Sequence, residues 1–395
     1  MSPFKNLLTK GVSRVIDEKN LIKRLESGKK LRIKLGIDPT APIVHLGHAV
    51  TILKLREFQK LGHQIIVLIG DATAQVGDTS DKNAERPMLS REETRKNAER
   101  YLSLYGKILD LKDVEVYYNS EGLDKVNFCG VGELAKHFSV AEMLDRDNFS
   151  KRYKAGERIS LQEFLYPLMQ GYDSVLLHAD VEIGGNDQYF NLLAGRTLQE
   201  AFGQEKQDII TMNLIMGTDG QKMSKTKGNF IPLDMTANDM FVKIMEIPDE
   251  QIIPYFESCT MTDMADIENI KKQLSQGEHP RTIKKKLARE IVGLYHSADL
   301  VDHAEEYFEA TIAGGSRPQD TDILMYHYKT GEIPLVTLIR EIGMVGNSTE
   351  ARNAIIGGGV KVDEVVISDV KTTIVVSVDK KLIQVGKKKF GYVAE

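Results

Sequence analysis

Two cysteines in 395 residues are too few for a disulfide framework, and they suit a reducing compartment, so a cytoplasmic protein is expected. Neither belongs to a C-x-x-C pair, so a zinc site has no thiolate frame and none is expected. No apolar run approaches the roughly 18 residues of a membrane span. The amino-terminal M-S-P-F-K-N-L-L-T-K lacks an apolar core followed by a small-residue cleavage site, so no secretory signal is expected. The net charge is -5, which rules out a global basic field; any nucleic-acid contact must rest on local basic patches. Internal repeats and low-complexity tracts are absent from the sequence. What remains is a soluble chain long enough for two or three domains.

The chain is organised around residues 34–48, K-L-G-I-D-P-T-A-P-I-V-H-L-G-H. An apolar run at 31–35 predicts a short strand, which Gly36 ends, and Pro39 and Pro42 stiffen the following turn. Val50, Leu53, Phe58 and Leu61 then give a helical pattern closed by Gly62. His45 and His48 therefore fall at or near a helix N-terminus, where free N–H groups and the helix dipole suit a phosphate. Gly47 between them allows close approach to the backbone. An H-x-x-H pair alone also describes two surface histidines, or part of a metal site. Far downstream, however, stands K-M-S-K-T at 222–226. The ordered pair H-L-G-H and K-M-S-K-T resembles the signature of the class I aminoacyl-tRNA synthetases.

Residues 1–30 read as helix, with Leu21, Ile22 and Leu25 on one face. Residues 65–69 form a five-residue apolar run bounded by Gly62 and Gly70, the pattern of a buried parallel strand. Strand, helix and strand make a βαβ unit, so an open α/β sheet is expected, with ligands beyond the carboxyl ends of its strands. Ser90 to Glu93 match a capping box that opens a helix through about Leu109, and 114–118 predict a strand. Lys151, Arg152 and Lys154 read as an exposed cluster. Tyr166, Gln170 and Asp173 lie at i, i+4 and i+7, one stripe of a helix. Burying such a stripe without partners is costly, and a ligand with matching polar groups would satisfy it. Val181 to Gln188 run from a strand into a Gly-Gly turn, with a helix after it; another strand begins at Ile209.

D-P-T-A, H-L-G-H, G-D-T-S, Y-P-L-M-Q-G-Y-D, I-G-G-N-D-Q and K-M-S-K-T occur here in the order seen in bacterial tyrosyl-tRNA synthetases, and the resemblance spans essentially the whole chain. It implies catalytic roles at the ATP phosphates for Thr40, His45, His48, Lys222 and Lys225. It implies a tyrosine pocket of Lys34, Gly36, Asp78, Tyr166, Gln170, Asp173 and Gln188. Asp78, Tyr166 and Gln170 would hold the ammonium and Asp173 would accept from the phenol hydroxyl. It places ATP against Asp38, Gly47, Gly185, Asp187, Lys222, Lys225 and Thr226, with Asp187 on the ribose. ATP with Mg²⁺, tyrosine and tRNA(Tyr) are the implied substrates, and a homodimer is the implied assembly. Two positions depart from the pattern. Lys34 stands where the best-known subgroup has a tyrosine, and Thr226 stands where that loop has a serine. Lys34 has no acceptor. Its ammonium either donates to the phenol oxygen, or pairs with Asp173, or points out of the pocket with only the stem on the wall.

The expected fold class is α/β. A Rossmann-like parallel-sheet catalytic domain occupies 1–231, with a mostly helical insertion at about 119–180. A helical tRNA-contacting domain follows at 232–330, where residues 279–289 hold five Lys or Arg and no acid. Residues 331–395, with S-T-E-A-R and G-G-V-K-V, resemble a small α+β S4-like RNA-binding domain. The count over 333–395 is 9 basic minus 7 acidic, or +2, so RNA binding there would rest on a patch: Arg340, Arg352, Lys387, Lys388 and Lys389. A tryptophan-activating sister enzyme, another H-x-G-H nucleotidyltransferase and a catalytically inactive RNA-binding paralogue are the alternatives. Asp173, the carboxyl-terminal module, and the intact histidines with K-M-S-K-T count against them in turn.

Overall fold

The computed structural model describes residues 4–78, 89–223, 228–314, 317–386 and 389–395, with the side chain of Asp147 excepted. The chain forms two compact units, Met1–Ser297 and Ala298–Glu395.

The first unit is built on a six-stranded sheet. Its strands are β1 (Val12–Ile16), β2 (Arg32–Ile37), β3 (Gln64–Ile69), β4 (Val114–Tyr118), β5 (Val181–Gly185) and β6 (Asp208–Met212), in the order β1-β6-β5-β2-β3-β4. All neighbours are parallel except β1, which runs antiparallel to β6. Ile65 to Ile69 and all of β6 are buried, as strands covered on both faces require. β2 feeds the Leu46–Lys60 helix and then β3 on one side; β5 arrives on the other side of β2. The strand order therefore reverses between β2 and β5, and the crevice at such a switch point is where an open α/β sheet binds its ligand.

Residues 1–30 do not form one helix. Helices Lys5–Thr9 and Glu18–Glu26 flank β1. Left-handed backbone at Gly11 (φ +64) and Asp17 (φ 63) breaks the helical path on either side of V-S-R-V-I, and that segment instead pairs with β6. Leu21 and Leu25 are buried as the helical pattern required. Arg152 is not exposed either: it is buried against the Glu163 carboxylate, at 2.5 and 3.0 Å.

The helix Leu161–Leu176 packs on Tyr189–Ala201 at close range, since a Cβ at Gly171 would lie 2.9 Å from the Ala194 backbone. Helices from Ala237–Met245 to Pro280–Tyr295 complete this unit.

The second unit is α+β. Helices Leu335–Glu341 and Ser348–Ile356 share a core with the strands Val360–Val362, Thr373–Val376 and Lys381–Val385. The strand Leu324–His327, inside a segment expected to be mostly helical, runs parallel to Lys389–Ala394 in a five-stranded sheet.

Candidate active site

A cavity of about 980 Å³ opens at the β2–β5 switch point. Its lining includes Lys34, Gly36, Asp38, Thr40, His45, Gly47, His48 and Asp78 from the first half of the unit. From the second half come Tyr166, Gln170, Asp173, Gly185, Asp187, Gln188 and Lys222. Fifteen positions named from sequence thus share one hollow. Lys225 and Thr226 lie outside the described residues.

His45 is the N-cap of the Leu46–Lys60 helix. Its Nδ1 accepts from the Gly47 N–H at 3.2 Å, while Nδ1 of His48 accepts from the His45 N–H at 3.2 Å. With Nδ1 an acceptor in both rings, each neutral imidazole carries its proton on Nε2 and is a donor there. The ring centroids lie 4.0 Å apart. Gly47 permits this fold-back, because a Cβ there would sit 3.0 Å from the His45 ring. Two ring donors at a helix N-terminus, whose dipole already favours negative charge, make an anion seat. Gly185 allows a similarly close approach: a Cβ on it would meet Asp187 Oδ1 at 2.4 Å.

The opposite part of the cavity is a set of mutually bonded polar side chains. Tyr166 donates to Asp38 Oδ2 at 2.9 Å, and Thr73 donates to Asp38 Oδ1 at 2.8 Å. Asn119 donates to Thr73 Oγ1 and to Asp173 Oδ2, both at 3.1 Å. Asp173 is 1% exposed, and its Oδ1 has no hydrogen-bond partner among the described residues. Burial pushes the Asp173 carboxyl up to about 7, against the Lys34 charge and the Asn119 bond, which pull it down. An orphaned buried acceptor of this kind is costly until a donor arrives. Gln188 donates to Asp78 Oδ2 at 2.7 Å.

Lys34 takes none of the three placements left open by the sequence. It is fully buried, and its ammonium donates to the Gln170 carbonyl (3.0 Å) and Ser174 Oγ (2.8 Å) and pairs with Glu182 Oε1 (3.0 Å). Its three donors are then all in use. The residues that sequence reasoning missed are those that make this network: Glu182, Asn119, Thr73, Ser174 and Gln207. For Glu182 a signal existed. Lys34 and Glu182 are single charges, each between buried apolar neighbours on a central strand, and opposite signs at such positions point to pairing. In the sheet they are register partners.

A family described as tRNA synthetases class I (W and Y) matches residues 26–313. The Mannheimia succiniciproducens protein named tyrosine–tRNA ligase is 44% identical over 387 residues, covering 98% of this chain and 97% of that one. The Clostridium acetobutylicum protein named tyrosine–tRNA ligase 2 is 45% identical over 389 residues, covering 97% and 96%.

The chain belongs to the tyrosyl branch of the class I tRNA synthetases.

The fold agrees. The Aspergillus nidulans mitochondrial tyrosyl-tRNA synthetase, a C-terminally truncated form, superposes with a TM-score of 0.64 at 23% identity, over 77% of this chain and 92% of that one. The Archaeoglobus fulgidus tyrosyl-tRNA synthetase, solved with L-tyrosine, superposes with a TM-score of 0.58 at 22% identity, over 76% and 97%. Among the described residues of this synthetase no group of three or more His, Cys, Asp or Glu side chains could hold a metal ion. None of its described helices is long and apolar enough to cross a membrane.

In the second unit Arg340, Arg352 and Lys389 are exposed. Arg340 donates to Ser348 Oγ at 3.2 Å, and Arg352 lies one turn along the same helix from Ser348. Lys389 donates to the Met344 carbonyl, in the loop between the two helices. Lys387 and Lys388 lie outside the described residues.

Proposed function

We propose that this chain activates tyrosine with ATP and transfers the tyrosyl group to tRNA(Tyr), in the cytoplasm. One observation carries the amino-acid choice. The buried Asp173 Oδ1 has no partner among the described residues, and a phenol hydroxyl is a donor that would satisfy it. Tyr166 donates its own proton to Asp38, so its oxygen is an acceptor toward the cavity, and Asp78 adds a negative charge. Together with Gln170 they are suited to an ammonium.

In the first step the tyrosine carboxylate attacks the α-phosphorus of ATP. A carboxylate-oxygen to phosphorus bond forms and the bond to pyrophosphate breaks. In the second, a ribose hydroxyl of the tRNA attacks the activated carbonyl and AMP leaves. The substrates supply both nucleophiles, so the protein positions them and stabilises phosphate charge. Thr40, the Nε2 donors of His45 and His48, and Lys222 with Lys225 are assigned to that charge; Asp187 is assigned to the ribose. Mg²⁺ travels with the ATP phosphates rather than in a protein cage.

Residues 1–231 are read as the activating domain, 232–330 as a helical tRNA-contacting domain and 331–395 as the S4-like module. In the last of these, Arg340, Arg352, Lys387, Lys388 and Lys389 are the residues assigned to RNA. A homodimer through the 119–180 segment is supported by its exposed apolar side chains, among them Phe128 (93% exposed) and Leu161 (81%). An exposed free cysteine, Cys129, fits a reducing cytoplasm.

The test is amino-acid-dependent ATP–pyrophosphate exchange with each of the twenty amino acids. Exchange with tyrosine alone is expected. Equal exchange with tryptophan, or none with any amino acid, would overturn the reading.

A further inference from the structure

The buried charges of β2 and β5 lie in the wall of the cavity, and the ammonium-binding role given to Gln170 depends on which way its amide faces. A carboxamide has one acceptor end and one donor end, and only the acceptor end can receive a substrate ammonium. Something must keep the oxygen toward the substrate.

Glu182 meets this need. It is fully buried. Its Oε1 takes the Gln170 Nε2 at 3.2 Å and the Lys34 ammonium at 3.0 Å. Its Oε2 takes Ser174 Oγ at 3.2 Å and Gln207 Nε2 at 2.5 Å. A carboxylate only accepts, so Gln170 must turn its NH₂ to Glu182 and its oxygen away. Lys34 closes the arrangement from the other side. It offsets the buried anion and also ties down the Gln170 carbonyl and Ser174, so backbone and side chain of residue 170 are both held. Lys34 and Glu182 face each other in register on adjacent strands, so neither needs to reach far.

We propose that Glu182, neutralised by Lys34, is a positioning residue that orients the Gln170 amide and thereby sets the enzyme's selectivity for the α-ammonium of its amino acid. Neither charge touches substrate. They act through Gln170, and Lys34 is used for this purpose rather than as a phenol donor. The inference rests on the tyrosine-activating reading above.

Glu182→Gln is the direct test. A glutamine offers one oxygen to the four donors that converge there and adds an NH₂ facing them, so the Gln170 amide loses its fixed sense. Because that variant leaves the Lys34 charge unmatched, the paired variant Lys34→Met/Glu182→Gln is measured beside it. Three ligands are titrated: tyrosine, tyramine, which keeps the ammonium and lacks the carboxylate, and 3-(4-hydroxyphenyl)propionate, which keeps the carboxylate and lacks the ammonium. All three carry the phenol, so any change at Asp173 cancels in their ratios. The dissociation constants of tyrosine and tyramine should rise about tenfold or more, the worth of one hydrogen bond to a charged group, while that of the propionate stays nearly constant. Should Glu182→Gln fail to fold, the paired variant carries the same expectation. Parallel weakening of all three ligands, or no weakening, overturns the positioning role. A parent chain that shows no tyrosine-dependent exchange overturns the functional reading instead, so the two failures are distinguishable.

Discussion

The two parts of the cavity solve different problems. Where the amino acid is assigned, Lys34, Glu182, Asp78 and Asp173 are all buried, and each is held by a neighbouring side chain: Lys34 by Glu182, Asp78 by Gln188, and one oxygen of Asp173 by Asn119. Where the phosphates are placed, the donors are two half-buried imidazoles at a helix end and an exposed Lys222. Discrimination among amino acids requires a rigid reference frame, because it compares ligands that differ by one group. Stabilising a charge that develops only during reaction requires donors that can meet it then. The first part is built like a protein core and the second like a surface.

Four measurements can break or sharpen that contrast. The largest effect belongs to Asp173. A site that hydrogen-bonds a substrate hydroxyl rejects the analogue lacking it by about 10⁴–10⁵, a magnitude taken from tyrosyl enzymes themselves and not calculated from this geometry. Asp173→Ala should remove most of the tyrosine-over-phenylalanine ratio of kcat/KM. A ratio left intact would mean that the hydroxyl is read elsewhere.

Next is the cost of breaking the interior pair. Lys34→Met strands a buried carboxylate and should lower the unfolding free energy by about 3–5 kcal/mol, and Lys34→Met/Glu182→Leu should recover much of it. A denaturant titration decides. A loss of only about 0–1 kcal/mol, typical of an exposed ion pair, would remove the core-like character claimed for this wall.

On the phosphate side, His45→Ala should slow adenylate formation about 10²–10³-fold. Tyrosine affinity should hardly move, because the imidazole meets charge that exists only as the reaction proceeds. Rapid-mixing measurement of the adenylate step separates the two quantities. Equal losses in both would place His45 with the binding wall.

The smallest effect is that of pH. With the Asp173 carboxyl at about 7, protonation removes the anionic acceptor. Tyrosine binding should therefore be constant above that pH and weaken below it, by at most about tenfold per unit for one proton. Since Lys34 holds the carboxyl down, Lys34→Met should move the inflection upward. A flat profile from pH 5.5 to 8.5, within reach of calorimetry, would mean that Asp173 stays ionised throughout.

Much of this was legible in the residues. The 3.6-residue stripe of Tyr166, Gln170 and Asp173, the helix start at His45 and the buried strand at 65–69 depend on local periodicity, and local periodicity survives into the fold. β1 was not legible, because five residues gain their strand character from a partner at 208–212. The Lys34 placement was open for the same reason. Its outcome is decided by Glu182 and Ser174, which lie more than a hundred residues away in sequence and adjacent in space.

The register of β2 against β5 also bears on synthesis. The wall assigned to the amino acid is assembled from strands made at different times, since β5 follows β2 by about half of the first unit. At about 5–20 residues per second the ribosome delivers Glu182 on the order of ten seconds after Lys34. Until then β2 has one unpaired edge, and a lysine destined for the interior keeps its hydration shell. β1 waits longer, for β6. The nascent first half therefore passes through a stage with an open sheet margin bearing a cation, a feature that discourages pairing with neighbouring chains. The charge assigned to order the finished pocket would therefore also lie on the open margin of the unfinished sheet.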